Sequence, residues 1–290
     1  GASNQAFRIR PSVLRQMQKN GGIYRLPLTY TILTYLADPE QLFDNTPETV
    51  LQVCEQGGEE LYPFARNADY SSLLAARCAV DYVDAAQGTC NFECDSFYAQ
   101  LALLRRQNAA LNTLPKNLDV ADIRDGLLYY YVILSADSIV YQPERYLYPE
   151  LKQSVYYAYP SDHDGGCQLE FGSLLSINTQ SEQKSGAWAF LSYLLSDACQ
   201  QCVNYLPVSD AVLQEQFAQL QAEEKVTQAD IDTFYALVDH AQKPDYPTEP
   251  IEQIIEEEMA AYLDGAIDEK TTAERIQSRA GLYLMEQKVE

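Results

Sequence analysis

The chain has 290 residues, with 42 acidic against 20 basic side chains and a formal net charge of −22 at pH 7. That balance excludes nucleic acid and anionic membrane surfaces as partners, because both are gripped through basic faces. With 47% hydrophobic and 21% charged residues the composition is that of a folded globular protein, and no apolar run is long enough to span a bilayer. At roughly 150 residues per domain the length predicts two domains. The opening Gly1-Ala2-Ser3-Asn4 is polar and carries no apolar signal-peptide core.

Taken in chain order, Ile9 to Lys19 predicts a helix with Pro11 in its first turn and Asn20-Gly21-Gly22 as its stop. Ile23 to Tyr30 reads as an extended apolar segment in which Pro27 marks an edge or a chain crossing. Thr46-Pro47-Glu48-Thr49 has the form of an N-cap opening a helix through Cys54, which Gly57-Gly58 ends. Ser71 to Val83 and Ser96 to Leu111 carry apolar residues at three- and four-residue spacing, so both are predicted helices. Tyr129 to Leu134 and Val155 to Tyr159 are rich in strand formers, and Pro160 closes the second.

Phe171 to Asn178 is another strand-like run, with a helix predicted behind it from Ser181 to Asp197. On that helix Trp188 shares an apolar stripe with Phe190, Leu191 and Leu195, which predicts core packing for the indole. The remainder is helical: 214–223, 227–242, 251–263 and 271–286. Thr227-Gln-Ala-Asp230 and Thr271-Thr-Ala-Glu274 both resemble N-terminal capping boxes. There is no repeat with a period of roughly 20 to 50 residues. Few strands among many helices predict an α/β or α+β architecture.

Little in this pattern supports catalysis. The seven cysteines are an odd number, so at least one is free or bridged to another chain if the rest pair. Cys199 and Cys202 follow a helix, the wrong electrostatic pole for a low-pKa redox thiol. Cys90 and Cys94 have a spacing unusual for zinc. Buried thiols, or a local disulfide in an exported protein, are the expectation for all four. Of the two histidines, His163 sits in a Ser161-Asp-His-Asp-Gly-Gly166 turn, and His240 occupies a solvated helix C-terminal position. No G-x-S-x-G, Walker A or G-x-G-x-x-G motif occurs. In a chain this acidic, paired carboxylates discriminate nothing. The residues predict no enzyme, no cofactor and no metal.

Three blocks, in order, carry a likeness. The first is Gly21-Gly-Ile-Tyr-Arg-Leu-Pro-Leu-Thr-Tyr30. The second is the run from Leu175-Ser-Ile-Asn178 through Ala187-Trp-Ala-Phe-Leu-Ser-Tyr-Leu-Leu-Ser196, with Leu206-Pro-Val-Ser209 behind it. The third is Ile254-Ile-Glu-Glu-Glu-Met-Ala-Ala-Tyr-Leu-Asp-Gly265 followed by Ala273 to Leu284. Together the blocks resemble the extracellular solute-binding proteins of bacterial ABC importers, of the sugar-binding, maltose-binding-protein-like type. They cover residues 21 to 290 loosely and about 90 residues well.

The resemblance implies a periplasmic-binding-protein-like two-lobe α/β fold, helix-rich, with lobe 1 incomplete. The hinge segment comes near residue 20, far earlier than in such proteins. Residues 1–30 and 174–215 would belong to lobe 1, and 31–173 and 216–290 to lobe 2. It further implies a receptor that hands a small solute, of oligosaccharide type, to an ABC permease. Such a receptor would be a cell-surface lipoprotein or periplasmic, touching the membrane only through a lipid anchor on a preceding segment. Sugars present apolar C–H faces and hydroxyl edges, which tyrosine matches with a flat ring and a hydroxyl. The implied ligand contacts are Tyr30, Thr31, Tyr130, Tyr131, Phe171, Ser173 and Asn178. Two other readings remain open at this point: a protein-interaction module, and a glycoside hydrolase built on two cleft carboxylates.

Overall fold

The computed structural model describes residues 8–19, 22–37, 39–40, 42, 44–58, 62–64, 70–113, 126–133, 136, 155–162, 168–241 and 249–287. The chain divides into two compact units. Unit 1 comprises Gly1–Thr34, Tyr131–Lys152 and Cys167–Gln242, and unit 2 comprises Tyr35–Tyr130, Gln153–Gly166 and Lys243–Glu290.

Unit 1 begins with α1 (Pro11–Met17), started by a proline whose missing N–H costs nothing in the first turn. The helix stops two residues before the predicted Lys19. Gln18 turns extended, and β1 (Gln18–Lys19) pairs antiparallel with β2 (Gly22–Ile23), which gives those backbone groups a ladder partner. Next comes β3 (Thr29–Ala37), nine residues of mostly buried side chains and the central strand of the molecule. Its first half pairs antiparallel with β9 (Gln168–Gly172), Tyr30 opposite Phe171, and with β10 (Leu206–Pro207), Leu206 opposite Tyr30. The predicted strand 171–178 therefore ends early: Ser173 takes a positive φ of 52°, and only Leu175 returns to bridge Leu26.

Four further helices complete the described part of unit 1: α5 (Lys184–Leu194), α6 (Asp197–Gln200), α7 (Asp210–Ala222) and α8 (Gln228–His240). The predicted capping box on α8 is present in full, Thr227 and Asp230 each satisfying the other's backbone N–H. The sequence reading assigns residues 216–290 to one lobe, whereas α8 clusters with unit 1. Ring contacts explain that grouping: Phe217 on α7 meets Phe234 and Tyr235 on α8 at 5.1 and 5.8 Å between centroids. Arg10 adds a bond from Nε to Asp239 at 2.7 Å and stacks over the Tyr235 ring at 4.0 Å.

The expected core position of Trp188 is corrected by the structure. The indole is 47% exposed, Phe190 60% and Tyr193 62%, and α5 buries only Leu191. An apolar stripe is evidence for a covering layer, and the stripe alone does not say which side of the helix that layer occupies.

Unit 2 is built from α2 (Pro47–Gln56), β4 (Tyr62–Phe64), α3 (Tyr70–Asp81), β5 (Val83–Asp84), β6 (Thr89–Cys90) and α4 (Asp95–Thr113). These are followed by β7 (Gly126–Ile133), β8 (Val155–Tyr157), α9 (Glu249–Leu263) and α10 (Glu269–Gln287). The Thr46 hydroxyl caps α2 by accepting from the Thr49 N–H, as predicted. β4 and β7 run parallel, β5 and β6 form an antiparallel pair, and β8 lies antiparallel to the second half of β3. The sheet order is β10-β3-β7-β4.

The C-terminal helices pack on α3 and α4. One face of α9 buries Ile251, Ile255, Met259 and Tyr262 against Leu74, Cys78, Phe97 and Leu101. α10 opens two residues before the predicted box, because the Asp268 carboxylate accepts from the Thr271 N–H at 2.8 Å and serves as its cap. Among the described residues no helix is long and apolar enough to cross a membrane.

Candidate functional site

The expected binding residues of unit 1 meet on the β3–β9 ladder. Antiparallel partners share a face, so Tyr30, Phe171 and Leu206 point one way, while Thr29, Thr31 and Glu170 point the other. The two faces differ in chemistry. Tyr30 is 2% exposed, and burial pushes its phenol far above the ordinary tyrosine range, with the nearby Tyr235 and Asp210 adding to the shift. It remains a neutral hydroxyl beside the Arg10, Asp210 and Asp239 charges. Thr31 is half-buried and its neighbour Glu170 exposed, so the opposite face offers a hydroxyl and a carboxylate to solvent.

Gly172 lies opposite Thr29, and a Cβ there would stand 2.6 Å from the Thr29 hydroxyl, so only glycine lets the strands approach this closely. Ser173 next to it is exposed at the strand end. Asn178 is exposed as well, but its side-chain oxygen accepts from the Gln180 N–H, which makes it a turn residue. Tyr130 and Tyr131 lie on β7, at the point where the chain passes between the units; β3 passes between Thr34 and Tyr35. The side chains of Tyr130 and Tyr131, together with His163 and Cys167, lie outside the described residues.

Unit 2 contains a cavity of about 690 Å³ that the sequence reading did not assign. Its walls include Glu48 from the start of α2, Tyr82 and Asn91 beside the β5–β6 pair, Cys94 and Asp95 at the start of α4, and Asp162. Burial, with the Asp162, Asp95 and Asp44 charges, pushes the Glu48 carboxyl above the usual range. Burial likewise pushes the Cys94 and Cys90 thiols up, which makes them poor nucleophiles. The Tyr82 hydroxyl is paired with Ser96 Oγ at 2.8 Å. The Asp162-His163 turn and the Cys90–Cys94 loop, read separately as a turn and as thiols, share this cavity through Asp162, Cys90 and Cys94. Only the accumulation of acids at three separated places in the sequence could have hinted at it. Among the described residues no group of three or more His, Cys, Asp or Glu side chains is arranged to hold a metal ion.

No family model and no curated protein matches the chain. Solved structures do. The sugar-binding protein MalE of Xanthomonas citri superposes with a TM-score of 0.64 at 14% identity, over 97% of this chain and 75% of that one. A solute-binding protein of an ABC transporter from Thermotoga lettingae, bound with α-D-tagatose, gives 0.59 at 14% identity, over 96% and 76%. Maltose-bound MalE3 of T. maritima gives 0.59 at 12% identity, over 95% and 76%. The chain therefore has the periplasmic-binding-protein-like α/β fold of sugar-binding ABC solute-binding proteins.

Proposed function

We propose that the protein is an extracellular receptor that binds a carbohydrate and delivers it to an ABC permease. The observation that supports this most is the extent of the fold match, which takes in 95–97% of the chain in structures named for sugar, tagatose and maltose binding. The chain crossings at β3 and β7 put Thr31, Tyr130 and Tyr131 beside the unit boundaries, where a ligand-responsive hinge would work. In this reading Tyr130, Tyr131 and Phe171 stack on sugar faces, while Thr31, Ser173 and Asn178 donate or accept at hydroxyl edges. Tyr30 supports the ladder from beneath. Delivery to a permease, lipid anchoring and the absence of catalysis all belong to the same proposal.

Calorimetric titration with maltose, longer maltodextrins and tagatose tests it. Saturable binding should appear for at least one sugar, and the Tyr130→Ala, Tyr131→Ala double variant should weaken it at least tenfold, equivalent to about 1.4 kcal/mol. Unchanged affinity in that variant places the site elsewhere, and no binding to any sugar removes the carbohydrate assignment.

A further inference from the structure

Among the described cysteines, Cys54 and Cys78 are buried, Cys90, Cys94 and Cys199 are half-buried, and Cys202 is exposed. Cys54 and Cys78 belong to the core of unit 2, where burial pushes both thiols up. Cys199 and Cys202 differ in kind, because they bracket the end of α6, where the backbone tightens. The Gln200 and Gln201 N–H groups reach back four residues, to the Ser196 and Asp197 carbonyls at 2.9 Å, whereas the Cys202 N–H reaches back three, to the Cys199 carbonyl at 3.0 Å. In such a 3₁₀ turn residues three apart eclipse, with about 6 Å of rise between them. That lies inside the Cα separation of roughly 4.4–6.8 Å that a disulfide spans. The Cys202 sulfur also leans back over the turn, donating to the Ala198 carbonyl at 3.6 Å. Gln200, between the two cysteines, is fully buried. Its Nε2 donates to the Leu28 and Leu194 carbonyls at 3.2 Å each, and its Oε1 accepts from the Ser209 N–H at 3.2 Å. One side chain thus ties three segments of unit 1: the approach to β3, the end of α5 and the start of α7.

We propose that Cys199 and Cys202 form an intramolecular disulfide that closes the α6 turn and fastens the Gln200 tie. The reaction is thiol–disulfide exchange with an oxidant that is itself a disulfide. The thiolate of Cys202, the exposed member of the pair, attacks one sulfur of the oxidant and expels the other as a thiolate. The Cys199 thiolate then attacks the Cys202 sulfur and expels the second. Two protein thiols become one disulfide, the oxidant disulfide becomes two thiols, and the protons of Cys199 and Cys202 pass to those thiols. An extracellular location supplies such an oxidising setting. The inference does not need the sugar assignment, because a chain that bound no sugar would carry the same turn. Closing the ring restricts the unfolded chain and so stabilises the fold.

The test is to incubate the reduced chain with oxidised glutathione, block remaining thiols with iodoacetamide and digest with trypsin. The tryptic peptide Ser185–Lys225 contains these two cysteines and no other. It should emerge unalkylated and lighter than its reduced form by two hydrogen atoms. Alkyl groups on both sulfurs, glutathione retained on either, or a cross-link to another peptide overturns the proposal. Oxidation should also raise the melting temperature by several degrees, and dithiothreitol should reverse the rise. Cys202→Ser changes an exposed side chain, so the variant should fold, and it should lose that rise. A rise of the same size in the variant, or none in the ring-closed parent, overturns the fastening role. Sugar binding is read separately by calorimetry, so failure of one assignment leaves the other standing.

Discussion

Helices α5 and α9 make an instructive pair. α9 alternates Ile251, Ile255, Met259 and Tyr262 with Glu252, Glu256 and Glu257, and its apolar face is buried to 1% exposure or less. α5 is the more apolar in sequence and buries a single side chain. Apolarity sets how much a helix gains from burial; the neighbouring layers set how much it receives. In unit 2, α3, α4, α9 and α10 surround one another, and the core closes. In unit 1, α5 leaves Trp188, Phe190 and Tyr193 about half exposed or more.

The contrast yields a graded set of expectations. The largest concerns Phe97, fully buried and in edge contact with Tyr82 and Phe92 at 5.3 and 5.2 Å. Phe97→Ala should cost about 3–5 kcal/mol in urea unfolding, whereas Phe190→Ala in the 290-residue chain should stay within about 0.5 kcal/mol. Equal losses would erase the distinction. Ion pairs should divide the same way. Arg77 and Asp81 form a pair in which both side chains are almost fully buried, and Arg77 also donates to Ser161 Oγ at 2.9 Å. Asp81→Ala strands a buried guanidinium and should cost about 3–5 kcal/mol. Asp239→Ala breaks the half-exposed Arg10 pair of unit 1 and should cost about 1 kcal/mol or less. Removing the α8 cap with Thr227→Ala should cost about 1 kcal/mol, read as a lower urea midpoint with an unchanged slope.

The smallest effect is a pH dependence with opposite signs in the two units. In unit 1 Arg10 and Ser12 hold the Asp239 carboxyl below its usual value. Its contribution is therefore present above the unfolded carboxylate pKa of about 3.9 and is lost as the pH falls through the folded one. In unit 2 Glu48 is held above its usual value by burial and acidic neighbours. Its ionisation opposes folding at neutral pH, and that penalty is relieved as the pH falls through the raised pKa. Glu48→Gln should raise the melting temperature at pH 7 and leave it unchanged near pH 4. A lower melting temperature at pH 7 would show that the Glu48 carboxylate has a stabilising partner.

Helix starts were legible in the sequence because caps are local. Thr46, Thr227 and the Asp230 reply need only three neighbouring residues, and all are where the pattern puts them. Asp268 was missed because Thr271 offered an equally good pattern three positions on, and the pattern does not weigh the two. Trp188 was misread for the opposite reason: a stripe is a local fact, but burial depends on chain far away in sequence. Only the start of β3, as far as Tyr30, was legible as an extended run, because the rest is buried on both faces, and the register with β9 and β10 was needed to find Thr31 and Glu170 together. The unit 2 cavity was illegible because Glu48, Asp95 and Asp162 come from distant segments.

Each unit is assembled from three separate stretches of chain, and the last of them, Lys243–Glu290, belongs to unit 2. This interleaving has a consequence for biosynthesis. The Ile251, Ile255 and Met259 wedge that closes the core around Leu74 and Phe97 comes long after both in the chain. At about 5–20 residues per second, a ribosome takes on the order of ten seconds or more between emitting Phe97 and emitting Ile255. Throughout that interval α3 and α4 carry apolar faces with no α9 to receive them. A chain cut before Ile251 therefore has an unclosed core rather than a smaller domain.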